Sequence, residues 1–336
     1  MMTDLHDTLL TLDTHIDIPW PDRGDFGEDT AMRQVDLPKM KKGGLKAVCL
    51  AAYIPQGRRN ALGRDQAWHR VQEMLSVITF LPQNAGADEA RICRTAAELR
   101  TAVAAEQWAI LPAIENGYAI GDDVERIRTL YDMGARYMTL THNGHNDLAD
   151  AAIPRTDLDD PASLHGGLSP LGRDAIRIMN ECGMLVDISH ASRDTMLQAV
   201  ELSRAPIVAS HSCARALCDH PRNLDDHQLV RLAESGGVVQ VTAMSSFLKP
   251  SREGRANVDD LATHVAYIAE RVGIDHVGVS SDFDGGGGIV DWADAGQSAN
   301  VTRALSNKGF SSKEIAQIWG GNFLRVLERA EEISAA

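Results

Sequence analysis

The sequence predicts a single (β/α)8 barrel, an α/β fold of the TIM type, and three observations carry that expectation. Short apolar runs recur eight times, longer amphipathic stretches separate them, and nearly every run ends in a histidine or a carboxylate. Alternating strand and helix patterns are the mark of βα units. Eight parallel strands close a barrel whose strand C-termini converge on one face. The chain has 336 residues, and barrels of roughly 250 residues and more fold as one unit. No internal repeat and no linker rich in Pro, Gly or Ser divides it, so one domain is expected over residues 1–336.

The eight runs are LLTLDTHID (9–17), LKAVCLAAY (45–53), WAILPAIE (108–115), RYMTLTH (136–142), MLVDISH (184–190), PIVASH (206–211), GVVQVTAM (237–244) and HVGVSSDFD (276–284). Helix starts are legible between them. Ser169 before Pro170 reads as an N-cap with proline at the first helical position, opening a helix to about Gly183. Residues 225–234 and 259–272 carry similar patterns, and Ser311 with Glu314 forms a capping box ahead of a C-terminal helix. The Gly320-Gly321 pair inside that helix predicts a break or kink. Two long stretches rich in Gly, Pro and Asp, 19–44 and 144–167, follow proposed strands and read as loops over the barrel's top face.

Composition excludes several function classes. The chain carries 33 Lys and Arg against 47 Asp and Glu, a net charge of −14, whereas phosphate recognition wants a basic surface, so a nucleic-acid partner is not expected. No apolar run reaches the roughly 20 residues of a membrane helix, and the first ten residues do not form a signal peptide. A cytoplasmic location is expected, with no membrane partner. The five cysteines (Cys49, Cys93, Cys182, Cys213, Cys218) are odd in number and lack CxxC spacing, which predicts reduced, mostly buried thiols. Four glycines at 285–288 are not followed by GK[ST] and predict a flexible turn rather than a phosphate cradle.

The strand ends carry the chemistry. A barrel strand is covered on both faces and should be apolar throughout. Yet the first ends in His15 and Asp17, whose two-residue spacing points both side chains to one face. The others end in Glu115, His142, His190, His211, and Asp282 with Asp284. Any one of these could be a hydrogen-bonded structural residue. In a closed barrel, however, the ends meet in one cleft, which gathers imidazoles and carboxylates without thiolates. That is the donor set of catalytic zinc, with manganese or iron as alternatives. Five ligands, His15, Asp17, Glu115, His190 and His211, exceed what one tetrahedral catalytic zinc uses, so two metal ions are implied. Such a pair needs an anion between its members. Related barrels use a carboxylated lysine, but no lysine ends a strand here, and Glu115 is the candidate. The remaining histidines, His220 among them, are expected on the surface or in loops.

DTHIDIPW (13–20), AIENG (113–117), RYMTLTHNGHNDLADA (136–151), LVDISHAS (185–192), VASHSCARALCDHPRNLDD (208–226) and VGVSSDFDG (277–285) together resemble the membrane (renal) dipeptidase family of zinc peptidases in the amidohydrolase superfamily. The resemblance implies two Zn2+ ions, with His15 and Asp17 on one, His190 and His211 on the other, and Glu115 bridging. It further implies His142 as the residue that polarises the scissile carbonyl, Asp282 as general acid and base, and Arg222 as the anchor for a dipeptide's free carboxylate. A bridging hydroxide would attack the peptide carbon. An arginine at 222 could instead brace the loop before residues 223–226. Trp20 and Tyr53 are candidate pocket walls. Some family members accept a D-residue at the C-terminal position, so L,D-dipeptides are expected substrates; a homodimer is the one further partner considered. The chain departs from the animal members by lacking a signal peptide, a lipid-anchor signal and their disulfide cysteines.

Overall fold

The strands that the apolar runs predict are all present in the computed structural model, which describes residues 2–18, 26–85 and 89–335. They are β1 (Leu12–Asp17), β2 (Ala47–Tyr53), β3 (Ala90–Ile92), β4 (Trp108–Glu115), β5 (Tyr137–Thr139), β6 (Leu185–Asp187), β7 (Val208–Ser212), β8 (Val238–Thr242) and β9 (Val277–Ser280). All pair in parallel in the order β1-β2-β4-β5-β6-β7-β8-β9. The circle closes just past β9, where Asp17 N donates to Phe283 O (3.0 Å) and Asp282 N donates to His15 O (3.1 Å). This is the expected eight-stranded barrel plus one strand. The extra β3 pairs with β4 outside the ring and has only three residues, too few to show a period.

Local signals account for the helices. Ser169 accepts from Gly172 N at the start of Pro170–Cys182, and Gly183 ends that helix in the left-handed region (φ 81°). Asp225 and Gln228 form a capping box on Asp226–Glu234, and Ser311 with Glu314 forms one on Ser312–Ala316. The chain then passes through a π turn, Gln317–Gly321, into Asn322–Ser334, so the glycine pair marks a widened turn rather than a break. Helix Ala61–Ala85 has no counterpart in the expected pattern. Phe323, Val326 and Leu327 of the last helix pack with Leu12, Leu111, Leu185 and Val238 of the barrel. Among the described residues no helix is long and apolar enough to cross a membrane.

The strands are shorter than their apolar runs. Glu115, Asp17 and His211 lie within strands, whereas His142, His190, Asp282 and Asp284 lie on the turns that follow. His190, Asp282 and Asp284 have positive φ (65°, 58° and 60°), as does Asn116 after Glu115 (88°). Asn, Asp and His tolerate that region better than other side chains, yet such residues still cost roughly 1–3 kcal/mol each. The barrel top therefore stores backbone strain where its polar side chains converge.

Candidate metal centre and active site

Glu115, at the end of β4, is the hub of the converging side chains. Its Oε1 lies 3.0 Å from His190 Nε2, 3.4 Å from His211 Nε2 and 3.8 Å from His142 Nε2, while its Oε2 lies 3.8 Å from His15 Nε2. Asp17 Oδ1 is 3.7 Å from the same His15 nitrogen. Of the two carboxylate oxygens, Oε2 thus lies by His15, which has Asp17 beside it, and Oε1 lies nearest His190 and His211. Two groups of donor atoms, His15 with Glu115 and His211, and Glu115 with His142 and His190, each lie within 4.8 Å of one another. Glu115 belongs to both. The five proposed ligands are all buried, and His15 Nε2 and Asp17 Oδ1 have no hydrogen-bond partner. Orphaned buried donors of this kind, on a nitrogen and oxygen set without thiols, fit cations shared around a carboxylate.

Each ligand-type histidine is oriented from behind through Nδ1. His15 Nδ1 meets the Tyr137 hydroxyl (2.8 Å), His190 Nδ1 the Asn143 side-chain oxygen (3.0 Å), and His211 Nδ1 the Ser210 hydroxyl (2.8 Å). Fixing Nδ1 in this way leaves Nε2 free to face the centre. His142 differs: among the described residues its ring makes no hydrogen bond, and it packs edge-on against Tyr53 (centroids 4.8 Å apart, 61° between planes). Its side chain is also more exposed, 20% against 0–8% for the other three. It borders the donors but faces the cleft.

The electrostatics follow from crowding ionisable groups in a dry site. Burial pushes Glu115 up, but the surrounding imidazoles, His142 first and then His15, His190 and His211, outweigh it and hold its carboxyl well below the usual range. Burial and the neighbouring Glu115 drive Asp17 well above it. His15 rises to about 10 because Glu115, Asp17 and Asp282 overcome its burial, while burial and His15 push His211 down to about 3. Without added cations only some of these groups can carry charge together.

The centre opens into a cleft of about 360 Å3 lined also by Tyr53, Asn143, Ile153, His220, Met244 and Phe247. Arg222 lines it as well. It is 3% exposed, its guanidinium lies 5.4 Å from the Phe247 ring centre, and its Nε has no partner. Among the described residues its guanidinium makes one hydrogen bond, a 3.4 Å contact from Nη2 to His211 O, and no ion pair, while its backbone N donates to His220 Nδ1 (3.2 Å). Burial lowers its pKa to about 10, which leaves it cationic at neutral pH. The loop that Arg222 could brace is held by Asn223, which donates to Cys218 O (2.9 Å) and Phe247 O (2.8 Å).

Several expectations need correction or completion. His220 lies on a loop, as expected, but lines the cleft, and His6 and His264 are buried within helices. Trp20 lies outside the described residues. All five cysteines are unpaired, and Cys213 and Cys218 point to the Thr242 and Ser246 carbonyls, not to the centre. Loop 144–167 is tightly bonded, with Asp150 accepting from Ser163 Oγ and from the backbone N–H of Leu164, His165, Gly166 and Gly167. Asp284 accepts from Gln34 N (2.8 Å) and so ties down the segment after residue 25, a supporting role. The glycines after β9 form an ordered turn, with Gly287 N bonded to Asp282 O (2.7 Å). A Cβ on Gly285 would lie 2.6 Å from Asp282 Oδ1 and 2.8 Å from Asp17 Oδ2. Gly285→Ala must therefore displace both carboxylates. It is expected to lower kcat about tenfold, by analogy with the effect of misplaced ligand supports, and kinetics alongside metal content check this.

The whole chain matches known proteins. A family model described as membrane dipeptidase (peptidase family M19) covers residues 1–336. Dipeptidase tcpJ of Claviceps purpurea is 32% identical over 308 residues, 90% of this chain and 70% of that protein. Dipeptidase verJ of Clonostachys rogersoniana is 30% identical over 341 residues, 96% of this chain and 84% of that protein. Among solved structures, the probable dipeptidase PvdM from Pseudomonas aeruginosa superposes with a TM-score of 0.93 at 29% identity, covering 99% of this chain and 98% of that one. The metallopeptidase from Rhodobacter sphaeroides, solved with a phosphinate mimic of the dipeptide L-Ala-D-Ala, gives 0.86 at 25% identity over 96% and 99% of the two chains. With the family model matched from end to end, the chain belongs to the membrane dipeptidase family, peptidase family M19.

Proposed function

We propose that this protein is a zinc-dependent dipeptidase that cleaves dipeptides with a free C-terminal carboxylate, L,D-dipeptides among them. The observation that carries the reading is Arg222, a buried cation without an anionic partner among the described residues, on the wall of the cleft beside the Glu115-centred donors. His15 and Asp17 would hold one zinc ion, His190 and His211 a second, and Glu115 would join them. Bound there, the pair would lower the pKa of a water toward about 7 and so supply a hydroxide nucleophile at neutral pH. Support for a D-residue comes from the Rhodobacter sphaeroides relative, whose ligand mimics L-Ala-D-Ala.

The chain's own residues do the rest. Arg222 takes the substrate carboxylate in its planar fork, which sets the distance from the chain end to the scissile carbonyl and selects dipeptides over longer peptides. His142, facing the cleft with no hydrogen bond among the described residues, donates to the carbonyl oxygen as negative charge develops on it. Asp282 removes the nucleophile's proton and delivers it to the leaving amine.

Dipeptides assayed against the same dipeptides with amidated C-termini test this reading. Hydrolysis of the free acids with little turnover of the amides is expected, and equal rates on both would refute it. Arg222→Met sharpens the test. Charge-assisted hydrogen bonds contribute about 1.5–3 kcal/mol, so kcat/KM on free dipeptides should fall about 10- to 100-fold while the amides are unaffected. The same change removes an unpaired buried cation, so the thermal midpoint of the metal-free chain should hold or rise. A fall of several degrees would mean that Arg222 braces the fold instead.

A further inference from the structure

The three ligand-type histidines differ in what stands behind them. Tyr137, behind His15, passes its own proton to Thr14 O (2.9 Å), an uncharged carbonyl. Asn143, behind His190, is half-buried at the cleft wall. Ser210, behind His211, donates instead to the carboxylate of Asp187 (Oδ2, 2.6 Å). Ser210 and Asp187 are both fully buried. A serine hydroxyl has one proton, and with that proton on Asp187 its lone pairs face His211 Nδ1. The hydrogen-bonded series therefore runs from His211 Nδ1–H to Ser210 Oγ and from Ser210 Oγ–H to Asp187.

Asp187 is itself immobilised. Its Oδ2 also accepts from Thr139 Oγ1 (2.6 Å), and its Oδ1 accepts from Ser189 N (3.0 Å) and Ser210 N (2.9 Å). The ladder between β6 and β7 is thin, a single pairing of Asp187 with Val208. The Asp187 side chain does what further ladder bonds would do, gripping Ser210 by backbone and hydroxyl together. Ser189 Oγ adds a bond from His211 N (2.9 Å).

We infer that Ser210, backed by Asp187, is a positioning residue that fixes the ring of His211 and strengthens it as a metal donor, which makes the two metal positions unequal in affinity. The inference rests on the reading of His211 as a ligand. A hydroxyl polarised by a carboxylate draws the Nδ1 proton outward and raises electron density at Nε2, as directly paired carboxylates do behind metal-bound imidazoles. Ser210 Oγ also comes within 3.4 Å of His15 Nδ1, but the shorter bond of that ring is to the Tyr137 hydroxyl (2.8 Å), whereas His211 Nδ1 meets Ser210 at 2.8 Å. Among the described residues the His190 ring has only the uncharged Asn143 behind it.

The test is metal binding to the full chain, read by zinc competition with a chromophoric chelator and by the visible absorption of the cobalt-loaded protein. Ser210→Ala keeps the Asp187 bond to the Ser210 backbone and removes only the hydroxyl. It is expected to weaken one of two metal equivalents about 10- to 100-fold, the range seen when outer partners of ligands are lost, to leave the other unchanged, and to shift the cobalt bands. Ser210→Thr, which restores the hydroxyl, should recover both readouts. If Ser210→Ala fails to fold, the Ser210→Thr and Asp187→Asn chains carry the test: affinity kept in the first and lost in the second supports the inference, and equal affinity in both overturns it. A Ser210→Ala chain with two equivalents of unchanged affinity and an unchanged spectrum overturns it too. His211→Ala run in parallel separates the two readings. Loss of one metal there upholds the ligand assignment, whereas two tightly held metals in His211→Ala would overturn that assignment and this inference together.

Discussion

Glu115→Gln is expected to reduce bound metal from two equivalents to one or fewer and to lower kcat/KM by on the order of 10^3 or more, the several kcal/mol that a correctly held metal centre supplies. The carboxylate presents one oxygen to His190 and His211 and the other to His15, with every contact between 3.0 and 3.8 Å. A carboxamide keeps the shape but offers only one acceptor oxygen and no charge, so it cannot offset the repulsion between two dications. Asn116, the next residue, already fixes the backbone there by donating to Ile54 O (2.9 Å) and accepting from Tyr118 N (3.0 Å). The loss should therefore be in metal binding rather than folding. Glu115→Asp keeps the charge and shortens the reach, and should fall between the two. Metal analysis after dialysis, with assays in excess zinc, decides the matter; two retained equivalents and near-normal turnover in Glu115→Gln would remove Glu115 from the bridge.

How much of this site was legible in the sequence depended on whether a residue broke a pattern. His15, Asp17, Glu115 and His211 interrupt or end apolar strands, and an imidazole or carboxylate at that position contradicts burial on both faces. The same rule singles out His142, His190 and Asp282, although their backbones have left the strand. Asp187 broke the pattern too, inside LVDISHAS, but nothing local says that its partner is Ser210, more than twenty positions on. Ser210 and Asn143 are small polar residues in polar surroundings and break no pattern, so only the fold reveals what they support. β3 is too short to carry a period. The cleft residues Phe247 and Ile153 lie on connecting segments, where no periodicity separates a wall residue from an ordinary contact, and Met244 ends its apolar run without breaking the apolar pattern.

Asp282→Asn is expected to lower kcat by about 10^2- to 10^4-fold, the span of positioned acid–base catalysis, while both metal equivalents stay bound. The backbone favours so clean a result, because Asp282 sits at φ 58°, and asparagine tolerates that region as well as aspartate does. Unchanged turnover in a metal-replete variant would move the proton transfer to another group. A second consequence concerns the metal-free chain. There the Asp282 carboxyl is pushed up to about 7, chiefly by burial, with Glu115 adding and His15 and Arg222 opposing. The unfolded chain releases the same proton near the ordinary 3.8. A raised folded pKa means that the folded state holds the proton more tightly, so this group's contribution to stability is complete below 3.8 and fades as pH rises through about 7. Asparagine stays uncharged throughout. Measured without metals, Asp282→Asn should therefore raise the thermal midpoint more at about pH 8 than at about pH 5. Added positive charge beside His15 would pull the carboxyl down and shrink the difference. The carboxylate that strains the empty centre at neutral pH is thus the one whose ionised form the loaded centre favours, and loss of the pH-dependent gain on adding zinc would place Asp282 within reach of the metals.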